Sequence, residues 1–263
     1  MREQLKTELR LLIIQIDQFR ERFGDNDIRP GFLDEYFEIV KTFFCAYYQI
    51  EENDILDKYH EIYGRNDFDK NDILGPLQGQ RNILNSFLII NCWSNFELFV
   101  TLFCQAFLES KEIEELLDLD YLRVKDTLKN CTIDPKTDEK LKKLKKDHIA
   151  HSPINNKFGK LLKKVNPYPK GRSKKYDREF LEFFGKLRNC IHSNYIYYGS
   201  HDYEFTYNNE TFSFSHGKIV SQSTFTESTI FSLTLFLKEI FLVITDNNKF
   251  DKEIYDPSNE LIK

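Results

Sequence analysis

The stretch from Arg81 to Glu109, RNILNSFLIINCWSNFELFVTLFCQAFLE, is the strongest constraint on how this chain folds. Projected on a helix, its apolar side chains leave no broad polar face, and a helix that is apolar nearly all round has to be surrounded by other elements. A bundle with this segment in the middle is the expected solution. Its neighbours carry the one-sided pattern that such a centre requires. From residue 2 to 23, Leu5, Leu9, Leu12, Ile13, Ile16, Phe19 and Phe23 recur mostly at steps of three or four, so one face is apolar and the other charged. Asn26 to Gly31, with Pro30, reads as the end of that helix. Phe32 to about Glu51 reads as a second helix and Asn53 to Tyr63 as a third, while Gly64 to Gln80 is rich in turn residues and is expected to be a loop.

Shorter helices are expected over 111–129, ending at Asp134-Pro135. Tyr176 to about Tyr195 resumes helical periodicity through Phe180, Phe183, Phe184, Leu187 and Ile191. After Gly199 the period drops to two. Phe205/Tyr207 and Phe212/Phe214 alternate around Asn208-Asn209 and His216-Gly217, the pattern of a small hairpin or three-stranded meander. Thr224 or Thr226 is placed to cap a last amphipathic helix, Ser228 to Thr245. The predicted class is mainly α: a helical bundle with a small β-hairpin or meander before the C-terminal helix. The length fits one domain with an N-terminal helical extension over about residues 1–63 and a basic insertion over about residues 136–178.

The net charge of −5 conceals an asymmetry. Between Lys136 and Arg178 there are fifteen Lys or Arg against four Asp or Glu, so this segment carries +11 and the remainder −16. Such a block draws a polyanion or an acidic surface, and each phosphate it neutralises releases counterions. Lys142, Lys143, Lys145, Lys146, Lys163, Lys164, Arg172, Lys174 and Lys175 are the candidate nucleic-acid contacts. The alternative is a solvated arm, and in either case loose packing is expected, since KTDEKLKKLKKDHIAH has few apolar anchors besides Leu141 and Leu144 and VNPYPKGRSKK is turn-like.

The first residues lack the apolar core of an export signal, and Lys238 and Glu239 interrupt the most apolar late stretch, so the expected setting is cytoplasmic with no membrane span. Five scattered cysteines without CxxC spacing read as free thiols, buried by their mostly apolar neighbours. Abundant Lys, Asn, Ile and Phe suggest an AT-rich, bacterial genome. No P-loop, GxSxG or GxGxxG pattern is present, which argues against P-loop nucleotide hydrolases and serine hydrolases. His148 and His151 have a metal-like spacing but no third ligand of the right type nearby, so neither metal nor cofactor is expected.

The segment KLRNCIHSNYIYYG, Lys186 to Gly199, concentrates the polar chemistry. Arg188 and His192 are four apart and rise from one face of a helix. A guanidinium fork suits phosphate, and the Asn189 amide beside it offers further donors. Imidazole titrates near neutrality and can take a proton from a ribose 2′-hydroxyl or give one to a leaving 5′-oxygen. The competing reading pairs Arg188 with a carboxylate and leaves His192 satisfied near a helix end. Glu97, with Ser94, Thr101 and Gln105 at helical steps, is either part of a solvent stripe or that buried partner. Tyr195, Tyr197 and Tyr198 are either core or a stacking surface for bases. Arg81-Asn82 repeats the RN pair with no histidine following and reads as a helix start.

An RN-xx-H-x-N segment ending a helix, followed by a glycine, a short hairpin and a last amphipathic helix, and preceded by a long central helix containing WSNFELFVTLF, resembles the HEPN superfamily (higher eukaryotes and prokaryotes nucleotide-binding). The resemblance covers roughly Arg81 to Thr245. Three residues separate Arg188 from His192, a shorter interval than the superfamily's usual one. The resemblance implies a helical bundle, a homodimer, and a metal-independent endoribonuclease, a toxin or defence effector, with Arg188, Asn189 and His192 as its site. It equally admits a non-catalytic module that binds RNA or a partner protein through the basic arm.

Overall fold

A computed structural model of the protein describes residues 2–52, 70–220, 225–246 and 250–257. Among them run nine α-helices and one two-stranded antiparallel sheet: α1 (Arg2–Phe23), α2 (Ile28–Glu52), α3 (Lys70–Phe107), α4 (Ser110–Leu117), α5 (Leu119–Thr127), α6 (Pro135–Lys142), α7 (Ile154–Lys164), α8 (Lys174–His192), β1 (Tyr203–Tyr207), β2 (Glu210–Phe214) and α9 (Glu227–Thr245). A 3-10 turn at Ile149–His151 precedes α7. The class is the expected one, mainly helical with a hairpin before the last helix.

The central helix explains the arrangement. α3 packs against α2, α7, α8 and α9, so its apolar circumference is covered from several sides. Phe99 and Phe32 close on Phe241 of α9, with ring centroids 4.3 and 3.9 Å away, while Trp93 stacks on Phe184 of α8 at 5.6 Å. Arg81–Phe107 and Glu227–Thr245 are each long and apolar enough to cross a bilayer, yet most of each such stretch is buried inside the protein. In the hairpin, Tyr207 pairs with Glu210, and Asn208 and Asn209 both take positive φ, 48° and 66°, as a two-residue type I′ connection requires.

Two boundaries and one stretch of packing differ from expectation. The turn expected at Asn26 to Gly31 is mostly the first turn of α2, which begins at Ile28; a proline there removes only an N–H that has no intrahelical acceptor. The loop expected up to Gln80 is helical from Lys70, because extending a strong helix costs far less than starting one. The expected helix over 53–63 and the start of that loop lie outside the described residues, as does Thr224; Thr226 caps α9. The third difference is in the basic segment, whose second half is not loose: Ile154, Phe158, Leu161 and Leu162 of α7 are buried, and α7 packs on α3.

Two buried charges stand out. Asp27 and Arg29 are fully buried and bound in a fork, Nε to Oδ1 and Nη2 to Oδ2, both at 2.6 Å. The remaining donors of Arg29 reach the Phe250 carbonyl at 2.5 Å and the Lys252 carbonyl at 2.8 Å, and Asp27 accepts from the Ile254 N–H at 2.8 Å. The tail over 250–256 is thereby fastened to the α1–α2 junction. Gly31 permits this approach, since a Cβ there would sit 2.0 Å from an Asp256 carboxylate oxygen.

Lys157, on the inner face of α7, is also fully buried, and its Nζ donates to Thr101 Oγ1 at 2.8 Å. No carboxylate pairs with it among the described residues. Burial lowers its pKa from the ordinary 10.5, against the pull of Glu97. The unfolded chain therefore holds this proton longer than the folded one, and the contribution of Lys157 to stability rises as pH climbs from its lowered value toward 10.5. Lys157→Met removes that dependence. Thermal midpoints are expected to favour Lys157→Met most at neutral pH, with the wild type closing the difference in alkali; a difference that does not change with pH contradicts the assignment.

Candidate functional site

The end of α8 sets the geometry. Ser173 accepts from the Tyr176 N–H and starts the helix, and Phe180, Phe183, Phe184 and Leu187 hold its inner face in the core. Cys190 is the last buried position, its thiol pushed up to about 11 by burial. Beyond it the Tyr195 N–H returns to the Cys190 carbonyl at 2.6 Å, the long closure of a Schellman turn, with Asn194 in the left-handed position at φ 54°. Tyr195 also has positive φ, 63°, which is uncommon for an aromatic residue. Its hydroxyl is bonded to Ser86 on α3, and its carbonyl accepts from the Val220 N–H at 2.8 Å. The turn after the helix is fixed at both ends.

Just before this turn, Arg188, Asn189 and His192 come together. Asn189 and His192 are exposed and Arg188 is half-buried. Arg188 Nη1 donates to Asn189 Oδ1 at 3.1 Å, while its Nε is sealed from solvent without an acceptor. Among the described residues no carboxylate pairs with Arg188, and His192 has no hydrogen-bond partner. Glu97 is half-buried on α3 and makes no ion pair with Arg188; Ser94 and Gln105 are exposed, but Thr101 lies under Lys157, so the polar stripe is only partly solvent-facing. A groove beside the cluster is lined by Lys186, Asn189, Ser193, Tyr197 and Tyr198. Tyr197 is buried and Tyr195 is tethered, whereas Tyr198 is 64% exposed and presents its ring to solvent.

The basic segment is largely spent inside the molecule. Lys142 pairs with Asp138 at 3.0 Å, Lys146 with Asp120 at 3.1 Å, Lys164 with Glu112 at 2.8 Å, and Lys145 with Asp118. Arg172 meets the buried Asp177 at 2.8 Å, and Lys174 donates to the Leu162 and Val165 carbonyls at the end of α7. Lys175 is exposed, 3.6 Å from Glu179. Of the predicted contacts, Lys143 and Lys163 are exposed and have no partner among the described residues. Arg178, which sequence reasoning did not single out, is in the same condition on the outer face of α8.

The other candidates resolve simply. His148 accepts from the Ala150 N–H and His151 lies 2.8 Å from Asp147, and among the described residues no three metal-ligating side chains gather. Arg81 sits within α3, 3.8 Å from Glu227. Cys92, Cys104 and Cys190 are buried thiols, but Cys45 and Cys131 are exposed. No family model, curated protein or solved structure matches the chain.

Proposed function

We propose that the protein is a metal-independent endoribonuclease of the HEPN type, with Arg188, Asn189 and His192 as a composite site. The observation that carries this reading is the exposed, unpartnered imidazole of His192 one helical turn beyond a guanidinium that no carboxylate neutralises. Among the described residues, Arg188 is held by the Asn189 amide alone and His192 by nothing.

The chemistry follows from the side chains. His192 draws the proton from a ribose 2′-hydroxyl, the 2′-oxygen bonds to phosphorus, and the bond to the 5′-oxygen breaks as that oxygen takes a proton from water. Arg188 offsets the charge that builds on the phosphorane-like transition state, and the Asn189 amide orients a non-bridging oxygen. The products are a 2′,3′-cyclic phosphate and a 5′-hydroxyl. A homodimer bringing two such helix ends to one RNA belongs to the same reading. Single-stranded RNA incubated with the purified chain in EDTA is expected to yield fragments with cyclic phosphate termini. RNA left intact at saturating protein overturns the assignment and leaves a binding module.

A further inference from the structure

A second cleft opens between α7 and α8, lined by Asn155, Gly159 and Lys163 on one helix and by Lys175, Arg178 and Glu182 on the other, with Lys174 and Glu179 at its edges. Its charge balance is uneven. Glu182 is held by Lys186 at 2.8 Å and Glu179 lies 3.6 Å from Lys175, so the two carboxylates are already matched. Lys174 is turned onto the carbonyls that end α7. What remains are Lys163 and Arg178, exposed cations without a partner among the described residues, facing one cavity from two helices.

The position of the cleft gives this meaning. Arg178, Glu182, Lys186 and Asn189 follow at helical steps on the outer face of α8, and the rise of a helix puts Arg178 about 20 Å from His192. The cleft and the groove beside Asn189 are two ends of one surface. At the far end Tyr198 offers an exposed ring, and at the near end two unmatched cations await an anion. A flexible polyanion with aromatic bases has both features, whereas a free phosphate uses only the cleft.

We infer that the α7–α8 cleft is a phosphate subsite for single-stranded RNA, in which Lys163 and Arg178 hold the backbone of a strand that runs along α8 toward His192. The inference rests on the ribonuclease reading only for the identity of the polyanion. Lys145, Lys146 and Lys164 have no part in it, because they are matched by Asp118, Asp120 and Glu112. The contact is with the sugar-phosphate chain, so it confers affinity and register without base specificity.

The test uses the full chain carrying His192→Ala, so that the probe stays intact, and fluorescence anisotropy of a labelled single-stranded RNA across a salt series. Adding Lys163→Glu and Arg178→Glu is expected to weaken binding about tenfold or more and to flatten the salt dependence by about 0.7 per lost phosphate contact. Lys136→Glu with Lys140→Glu, equal in charge change, exposed and outside the cleft, is expected to leave affinity within about twofold, since long-range effects are screened beyond a Debye length. If the glutamates disturb folding by circular dichroism, Lys163→Gln with Arg178→Gln replaces them. Equal weakening by both pairs, no weakening by the cleft pair, or no RNA binding by the parent overturns the subsite. The two proposals fail separately. Cleft-dependent binding by a wild type that never cuts RNA removes the nuclease and keeps the subsite, while cleavage whose KM ignores the cleft pair does the reverse.

Discussion

Truncating His192 to alanine is expected to slow RNA cleavage by about 10²–10⁴-fold, the usual worth of a positioned general acid or base. In the proposed mechanism the proton is transferred in the transition state and the strand is held elsewhere, so the loss is expected on kcat more than on KM. The thermal midpoint is expected to stay put, since the ring is exposed and bonded to nothing among the described residues. That combination separates a catalytic role from a supporting one. Arg188→Lys is the companion variant: it keeps a charge but loses the planar fork and the donor that reaches Asn189 at 3.1 Å, so its rate should fall while binding in low salt persists. Cleavage at full rate by His192→Ala would mean that the imidazole is not the proton carrier and that the site has been wrongly drawn.

The largest effect on stability is expected at Asp27. Replacing it with alanine leaves the Arg29 guanidinium buried, with the Phe250 and Lys252 carbonyls as its only remaining acceptors among the described residues. Breaking a buried pair in this way costs about 3–5 kcal/mol, several times the worth of a surface ion pair. For a chain of this size that lowers the thermal midpoint by roughly 10 °C. The comparison is Lys142→Ala, which removes an exposed pair with Asp138 and is expected to change the midpoint by a degree or two at most. A double change, Asp27→Leu with Arg29→Met, removes both charges and should recover part of the loss, though the tail carbonyls then lack their donors. Denaturant or thermal unfolding of these variants measures the ordering, and a mild effect at Asp27 would show that solvent reaches the pair.

The sequence carried the architecture where spacing alone decides it. The steps from Leu5 to Phe23, the apolar circumference of Arg81 to Phe107 and the alternation around Asn208-Asn209 each specify an element without knowledge of its neighbours. The basic segment was misleading because net charge says nothing about partners. Glu112, Asp118 and Asp120 precede it in the chain, and only the folded chain brings Lys164 at the end of α7 to Glu112 on α4, and Lys145 and Lys146 after α6 to Asp118 and Asp120. Its apolar steps, Ile154, Phe158, Leu161 and Leu162, were present in the sequence and outweighed by the charge around them. At the site, four-residue spacing predicted that Arg188 and His192 share a face, but their lack of carboxylate partners is a property of the whole fold. Arg178 was overlooked for the opposite reason: it sits at the edge of a basic run, and only the cleft distinguishes it from its neighbours.

The buckle between the α1–α2 junction and the tail also bears on the order in which the molecule assembles. Asp27 and Ile254 are 227 residues apart, so during translation the first helical pair emerges long before the peptide groups that will surround its arginine. Until then that guanidinium is best left hydrated, and the early helices gain little by closing tightly around it. Sealing the core therefore waits for residues 250–256, and a chain cut before them is expected to be an open, protease-sensitive body instead of a smaller native one.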